Sequence, residues 1–351
     1  MFRLYKHMNE LRAVRNLIGL LGLLAVSTQY VSAVSLEPIV GGASSPGDAG
    51  DRVWQYFYTN VMERSAGAIQ PTMMIRGEAG HDMALLGALR RGRLQIASFS
   101  PESMAQVDPG FGIFSLPYLF ESDAEVDFVL DGGLHLHLAA SAQRKNLVLL
   151  SWVDAGWMHI YGKKPILAPS DMDNYRMRSL QSPASILLMK TLGADVITIP
   201  RSDLIPALQT GLVDGGETSL VFYGTTGIAN EAPHLVMTQH ARSFGIMFVN
   251  KSWYEDISPS YAETIKSSFQ SIEDQRIEAR AIWEEEVRSI RRLGASIYNL
   301  SEVQLAVWRR ATRRNHEVLL DEMGSDASVL YELIVQLKSE HRLRETLGAS
   351  P

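Results

Sequence analysis

Strand-like and helix-like apolar patterns alternate along this chain in two separate rounds, which restricts it to a mainly parallel sheet covered by helices. In the first round, Leu36 to Val40 reads as a strand. It is followed by the turn Gly41-Gly42-Ala43-Ser44-Ser45-Pro46-Gly47 and a helical pattern from Asp51 to Ala66 that stops at Gly67. A strand near Ile69 to Ile75, a helix from about His81 to Arg91 ending at Gly92, and a strand from Leu94 to Phe99 continue it. The second round places a strand at Tyr175 to Leu180, a helix at Ser185 to Leu192 ended by Gly193, and a strand at Val196 to Pro200. Ser202 and Asp203 open a further helix closing at Gly211, and Leu212-Val213-Asp214 forms a strand running into Gly215-Gly216. Two α/β lobes with a cleft between them follow.

The first residues have a different character. Arg3, Lys6, Arg12 and Arg15 precede an apolar run from Leu17 to Val26 and then Val31-Ser32-Ala33, the order of a secretory signal with a small-residue cleavage site after Ala33. The run is shorter than the roughly 20 residues of a membrane-spanning helix. About 318 residues remain after cleavage, more than one hydrophobic core usually serves. Residues 34–155, with part of 244–283, are expected to form lobe 1, and residues 156–243, with part of 284–330, lobe 2. From Pro259 to about Leu293 apolar residues recur at helical spacing, enough for one helix of roughly 50 Å spanning both lobes. Ser301-x-x-Gln304 is a capping box, and residues 325–351 read as a C-terminal helical segment.

Composition narrows the chemistry. The chain has no cysteine, which removes disulfides, thiol catalysis and a lipid-modified cysteine. The net charge of −6 lacks the basic field that nucleic-acid binding requires. No phosphate loop, dinucleotide fingerprint or nucleophile elbow occurs. His135-Leu136-His137 comes nearest to a metal pair, but its surroundings favour a helix, on which the two side chains diverge. No catalytic set, cofactor or metal is expected.

Arg176 and Arg178 are two apart on a strand and so share a face. Arginine in a cleft can clamp a carboxylate through two parallel charge-assisted bonds. Alternatively, both are solvated or paired with acids such as Asp171 and Asp173. Phe99, Trp152, Trp157, Phe222 and Tyr223 sit at strand ends or in loops, where they either line a pocket or fill the core.

The wording of several segments goes further. Asp171-Met172-Asp173-Asn174-Tyr175-Arg176-Met177-Arg178 resembles the D-L-x-G-x-K-x-R segment of the periplasmic substrate-binding proteins of tripartite ATP-independent periplasmic (TRAP) transporters, the DctP family. Leu192-Gly193-Ala194, Ile199-Pro200 and the run from Ala207 to Gly215 are similar to that family's L-G-A…P…A-L-Q-x-G-x-V-D-G. Phe114 to Phe120 is similar to its L-P-[FY]-L-F segment, and the helix from Gly80 to Gly92 with Leu94 and Ala97 to a fourth motif. The similarity covers about Leu36 to Gly324.

The resemblance implies a two-lobed binding protein of the Venus-flytrap type with a long interlobe helix. Such a protein captures a small organic acid by lobe closure and passes it to ion-gradient-driven membrane subunits, with no bond making. It implies a periplasmic location, and a monomer is expected. Arg178 stands at the family's carboxylate-clamping position. Two departures matter: Met158 replaces the arginine of W-x-x-x-G-x-R, and Thr218 replaces an asparagine. A monocarboxylate with an apolar or aromatic body suits them. The candidate ligand set is Arg178, Thr218, Met158, Trp157, Ser98, Ser100 and Phe222. A sensory binding protein docking on a receptor, and an α/β enzyme, are the alternatives.

Overall fold

The computed structural model describes residues 35–348 apart from Ser45. The expected signal segment, residues 1–33, and residues 349–351 lie outside the described residues.

Among the described residues nine strands form a single sheet in the order β2-β1-β3-β8-β4-β7-β5-β6, with β9 beside β8. They are β1 (Ile39–Gly41), β2 (Thr72–Met74), β3 (Ile96–Phe99), β4 (Leu147–Gly162), β5 (Arg176–Ser179), β6 (Asp195–Thr198), β7 (Gly215–Ser219), β8 (His234–Asn250) and β9 (Ser296–Asn299). β1, β2 and β3 run parallel, as do β5, β6 and β7. Each group is the parallel half-sheet expected from one round of alternation.

The two long antiparallel strands β4 and β8 join the halves. The end of β8 pairs with β3, Ile96 opposite Val249, while its beginning pairs with β9, His234 opposite Ser296. The end of β4 pairs with β7, Met158 opposite Ser219. Their shared register slips between Leu149 and Ser151, between Asp154 and Gly156, and between Met158 and Ile160. At the middle slip Gly156 has φ +83°, where a side chain would be strained, and its N–H donates to Asp154 Oδ1 at 3.0 Å. Such bulges bend a strand and increase its twist.

The apolar residues divide accordingly. One core gathers Leu85, Phe111, Phe114, Trp152, Phe248 and, from the C-terminal helices, Leu319 and Ile334. On the other half of the sheet, Tyr161, Leu208, Tyr223, Leu235 and Ile290 pack on one face and Ile160, Met177, Leu188 and Trp308 on the other. Burying each of these large side chains is worth about 1.5–3 kcal/mol.

Three expectations from the sequence need correction. The run from Pro259 to Leu293 is two helices, Pro259–Ser267 and Ile272–Arg292, the second capped by Ser271. Between them Phe269 turns inward to stack on Phe57 at 4.4 Å, edge-on to Trp54. The second helix has 21 residues, a length of about 32 Å. It still touches both cores, through Ile272 at one end and Trp283, Val287 and Ile290 at the other. The strand expected at Leu212 to Asp214 begins instead at Gly215. A Cβ at Gly216 would stand 2.5 Å from Tyr161 Oη, so these glycines serve close strand packing rather than a turn. Ser325–Thr346 is the C-terminal helix, ending short of residue 351.

Candidate functional site

Ligands of open α/β sheets lie beyond the carboxyl ends of the parallel strands. At that edge of β5, β6 and β7 stand Arg178, Arg201 and the short helix Leu220–Thr225 that carries Phe222. Arg178 pairs in register with Ile197 on one side and Gly216 on the other. It is 6% exposed. Its Nε donates to the Ile199 carbonyl at 3.3 Å, and its terminal nitrogens bond to no described residue. No carboxylate among the described residues lies within ion-pair distance of it. Burial lowers its pKa, against the opposing influence of Tyr161 and Glu217. A desolvated guanidinium with its fork open is suited to receive an anion.

Arg176 differs, although only one residue separates the two. It is largely exposed and pairs with Asp214, Nη2 to Oδ2 at 2.7 Å. Asp171 caps its own turn by accepting from the N–H groups of Leu167 and Ala168. The alternative of a solvated, acid-paired arginine thus describes Arg176, with Asp214 rather than Asp171 or Asp173 as the acid, and does not describe Arg178.

Strand register distributes the other candidates. Gly216 and Thr218 of β7 and Tyr161 of β4 share the face of Arg178, whereas Met158, opposite Ser219, shares the face of Glu217. Thr218 is buried and Met158 half-buried. Tyr161 is fully buried, its hydroxyl has no partner among the described residues, and burial pushes its pKa up. Phe222 lies beneath Arg201, whose Cζ is 4.2 Å from the ring centroid.

The remaining three candidates each have a partner within the protein. Trp157 donates its indole N–H to Asp123 at 2.9 Å and lies under Arg242. Ser98 accepts from Trp54 Nε1 at 3.3 Å, and Ser100 caps the helix Pro101–Met104 by accepting from Ser103 N. His135 and His137 lie on the helix His135–Gln143, each ring within reach of a carbonyl of its preceding turn.

Two polar networks escaped sequence reasoning. Glu217 is buried and accepts from the Ser185 hydroxyl and from His240 Nε2 at 2.8 Å, while His240 Nδ1 meets Thr238 Oγ1 at 2.8 Å. Burial alone would raise the Glu217 pKa, but His240, Ser185 and Arg178 together hold it below the usual carboxylate value. Arg242 is gripped by both oxygens of Asp154 and by Asp123, and it stacks on Trp157 at 4.8 Å. Arg280 and Arg276 of the long helix bind Asp127, and Arg276 also binds Asp131, so this network ties the helix to the first lobe. Arg201 is the third omission. Ile199-Pro200, the segment immediately before it, carried part of the resemblance.

No helix among the described residues is long and apolar enough to cross a membrane. The chain is 26% identical over 262 residues to the 2,3-diketo-L-gulonate-binding periplasmic protein of Escherichia coli, covering 74% of this chain and 79% of that one. It is 24% identical over 302 residues to the ectoine-binding periplasmic protein of Halomonas elongata, covering 84% and 86%. The fold is similar to that of the sugar acid binding protein of Advenella mimigardefordensis in complex with galactonate, with TM-score 0.79, 23% identity and coverage of 86% and 99%. It is also similar to that of a TRAP periplasmic solute binding protein of Anaerococcus prevotii, with TM-score 0.80, 20% identity and coverage of 87% and 99%. The family model described as bacterial extracellular solute-binding protein, family 7, matches residues 43–322, and the chain therefore belongs to this DctP family of solute-binding proteins.

Proposed function

We propose that this protein works in the periplasm as the solute-binding subunit of a TRAP-type transporter, capturing a small organic acid and delivering it to membrane subunits. The observation that carries the reading is Arg178: a buried guanidinium at the carboxyl edge of the second-lobe sheet, with its terminal nitrogens unanswered by any described residue. Membership of the family supports the binding role. A relative named for binding a diketo sugar acid, and neighbours of the same fold holding galactonate and D-glucuronate, support an acid as the solute. Lobe closure over the solute removes water from the Arg178 fork and strengthens its bonds to a carboxylate. Met158, where the family carries a second arginine, favours a monocarboxylate with an apolar or aromatic body.

A thermal-shift screen tests this reading. The panel contains succinate, D-glucuronate, D-galactonate, benzoylformate and phenylacetate. A solute at 100 times its dissociation constant adds about 2.7 kcal/mol to stability. The largest shift is expected from an apolar monocarboxylate. Stabilisation by succinate alone would overturn the monocarboxylate assignment, and a response confined to uncharged solutes would overturn the carboxylate role of Arg178.

A further inference from the structure

Arg201 begins the turn directly after β6 and Pro200, while the carbonyl of Ile199, two residues before it, holds Arg178 Nε. The end of β6 thus holds Arg178 and leads directly into Arg201. Ile199 and Phe222 pack against the core that contains Tyr161, so Arg201, stacked on Phe222, belongs to the same side of the sheet as Arg178. Met158 lies on the other side. Stacking fixes the plane of the Arg201 guanidinium and leaves its N–H edge available. No carboxylate among the described residues is within ion-pair distance of either arginine. Arg201 is exposed to water, yet enough protein surrounds it for desolvation to lower its pKa. The like charge of Arg178 lowers it further, against the opposing influence of Asp48, Asp82 and Glu102.

We infer that Arg201 contacts the solute directly. With Arg178 it forms a two-guanidinium seat for one carboxylate, restoring on the Arg178 face the charge that Met158 lacks on the other. One carboxylate offers about four lone-pair sites, enough for two forks. The alternative role for Arg201 is as an ion-pair partner of Asp82 and Glu102, acids of the first lobe whose other bonds are to the hydroxyls of Ser103 and Ser115.

This inference rests on the Arg178 reading, and the experiment separates the two. The probes are inorganic sulfate, which needs only the guanidinium groups, and the acid giving the largest shift in the panel above. Calorimetric titration of Arg201→Ala is expected to show a loss of tenfold or more for both probes at an unchanged unliganded melting temperature. The double substitution Asp82→Asn with Glu102→Gln should bind as well as wild type or better, since it removes negative charge near an anion. Binding by Arg201→Ala within twofold of wild type overturns the inference. A loss in the Asp82→Asn, Glu102→Gln protein equal to that of Arg201→Ala also overturns it and makes Arg201 an interlobe ion-pair partner. If Arg178→Ala binds normally, the whole site is misplaced; if only Arg201→Ala does, the inference alone fails.

Discussion

Two arginines are buried to almost the same degree in this protein, Arg178 at 6% and Arg242 at 5% exposure, and their surroundings are opposite. Arg242 lies where β4 and β8 pass between the lobes, bonded by two aspartates and stacked on Trp157. Its carboxylates raise its pKa although burial works the other way. Arg178 donates one bond, to the Ile199 carbonyl, and burial lowers its pKa. A buried charge answered within the protein holds structure, and one left open costs stability until something from outside answers it. Burial alone therefore does not distinguish the two arginines; what differs is how far each is satisfied within the protein.

The comparison breaks most readily under a single substitution made at both places. Arg242→Met strands Asp154 and should cost about 3–5 kcal/mol in chemical denaturation. Arg178→Met removes a charge with no carboxylate partner, so the unliganded protein should stay within about 1 kcal/mol of wild type. Equal losses at the two sites would refute the distinction. Glu217→Gln sharpens it, because Glu217 is answered by Ser185 and His240; it should destabilise by about 1.5–3 kcal/mol, read by the same denaturation. The smallest effect belongs to Arg176→Ala, whose exposed pair with Asp214 is worth about 0.2–1 kcal/mol and should leave solute affinity unchanged.

What the sequence revealed follows the range of each interaction. β1 to β3 and β5 to β6 were legible because each strand is followed by its own covering helix within a few residues. β4 and β8 were not. Their partners are distant in sequence, and three register slips interrupt the period of two that marks a half-buried strand. Helical periodicity across residues 259–293 hid the inward turn of Phe269, since an apolar residue at helical spacing reads alike whether it lines a helix or interrupts one. Arg178 was singled out through motif wording. Arg242 had no such marker, its partners Asp154 and Asp123 being 88 and 119 residues away. The bond of Trp157 to Asp123 was hidden for the same reason, because only the fold brings Asp123 to its indole N–H.

Calorimetric titration of wild-type and Arg178→Ala protein with the most stabilising acid of the screen, alongside denaturation of both unliganded proteins, tests the central claim most directly. Arg178→Ala should lose about 2–5 kcal/mol of binding, because it leaves the solute's carboxylate buried without its partner. Arg178→Lys should also bind more weakly, lacking the planar fork. The unliganded Arg178→Ala protein should unfold within about 1 kcal/mol of wild type. Wild-type affinity in Arg178→Ala, or an affinity loss matched by an equal loss of unliganded stability, would contradict the account.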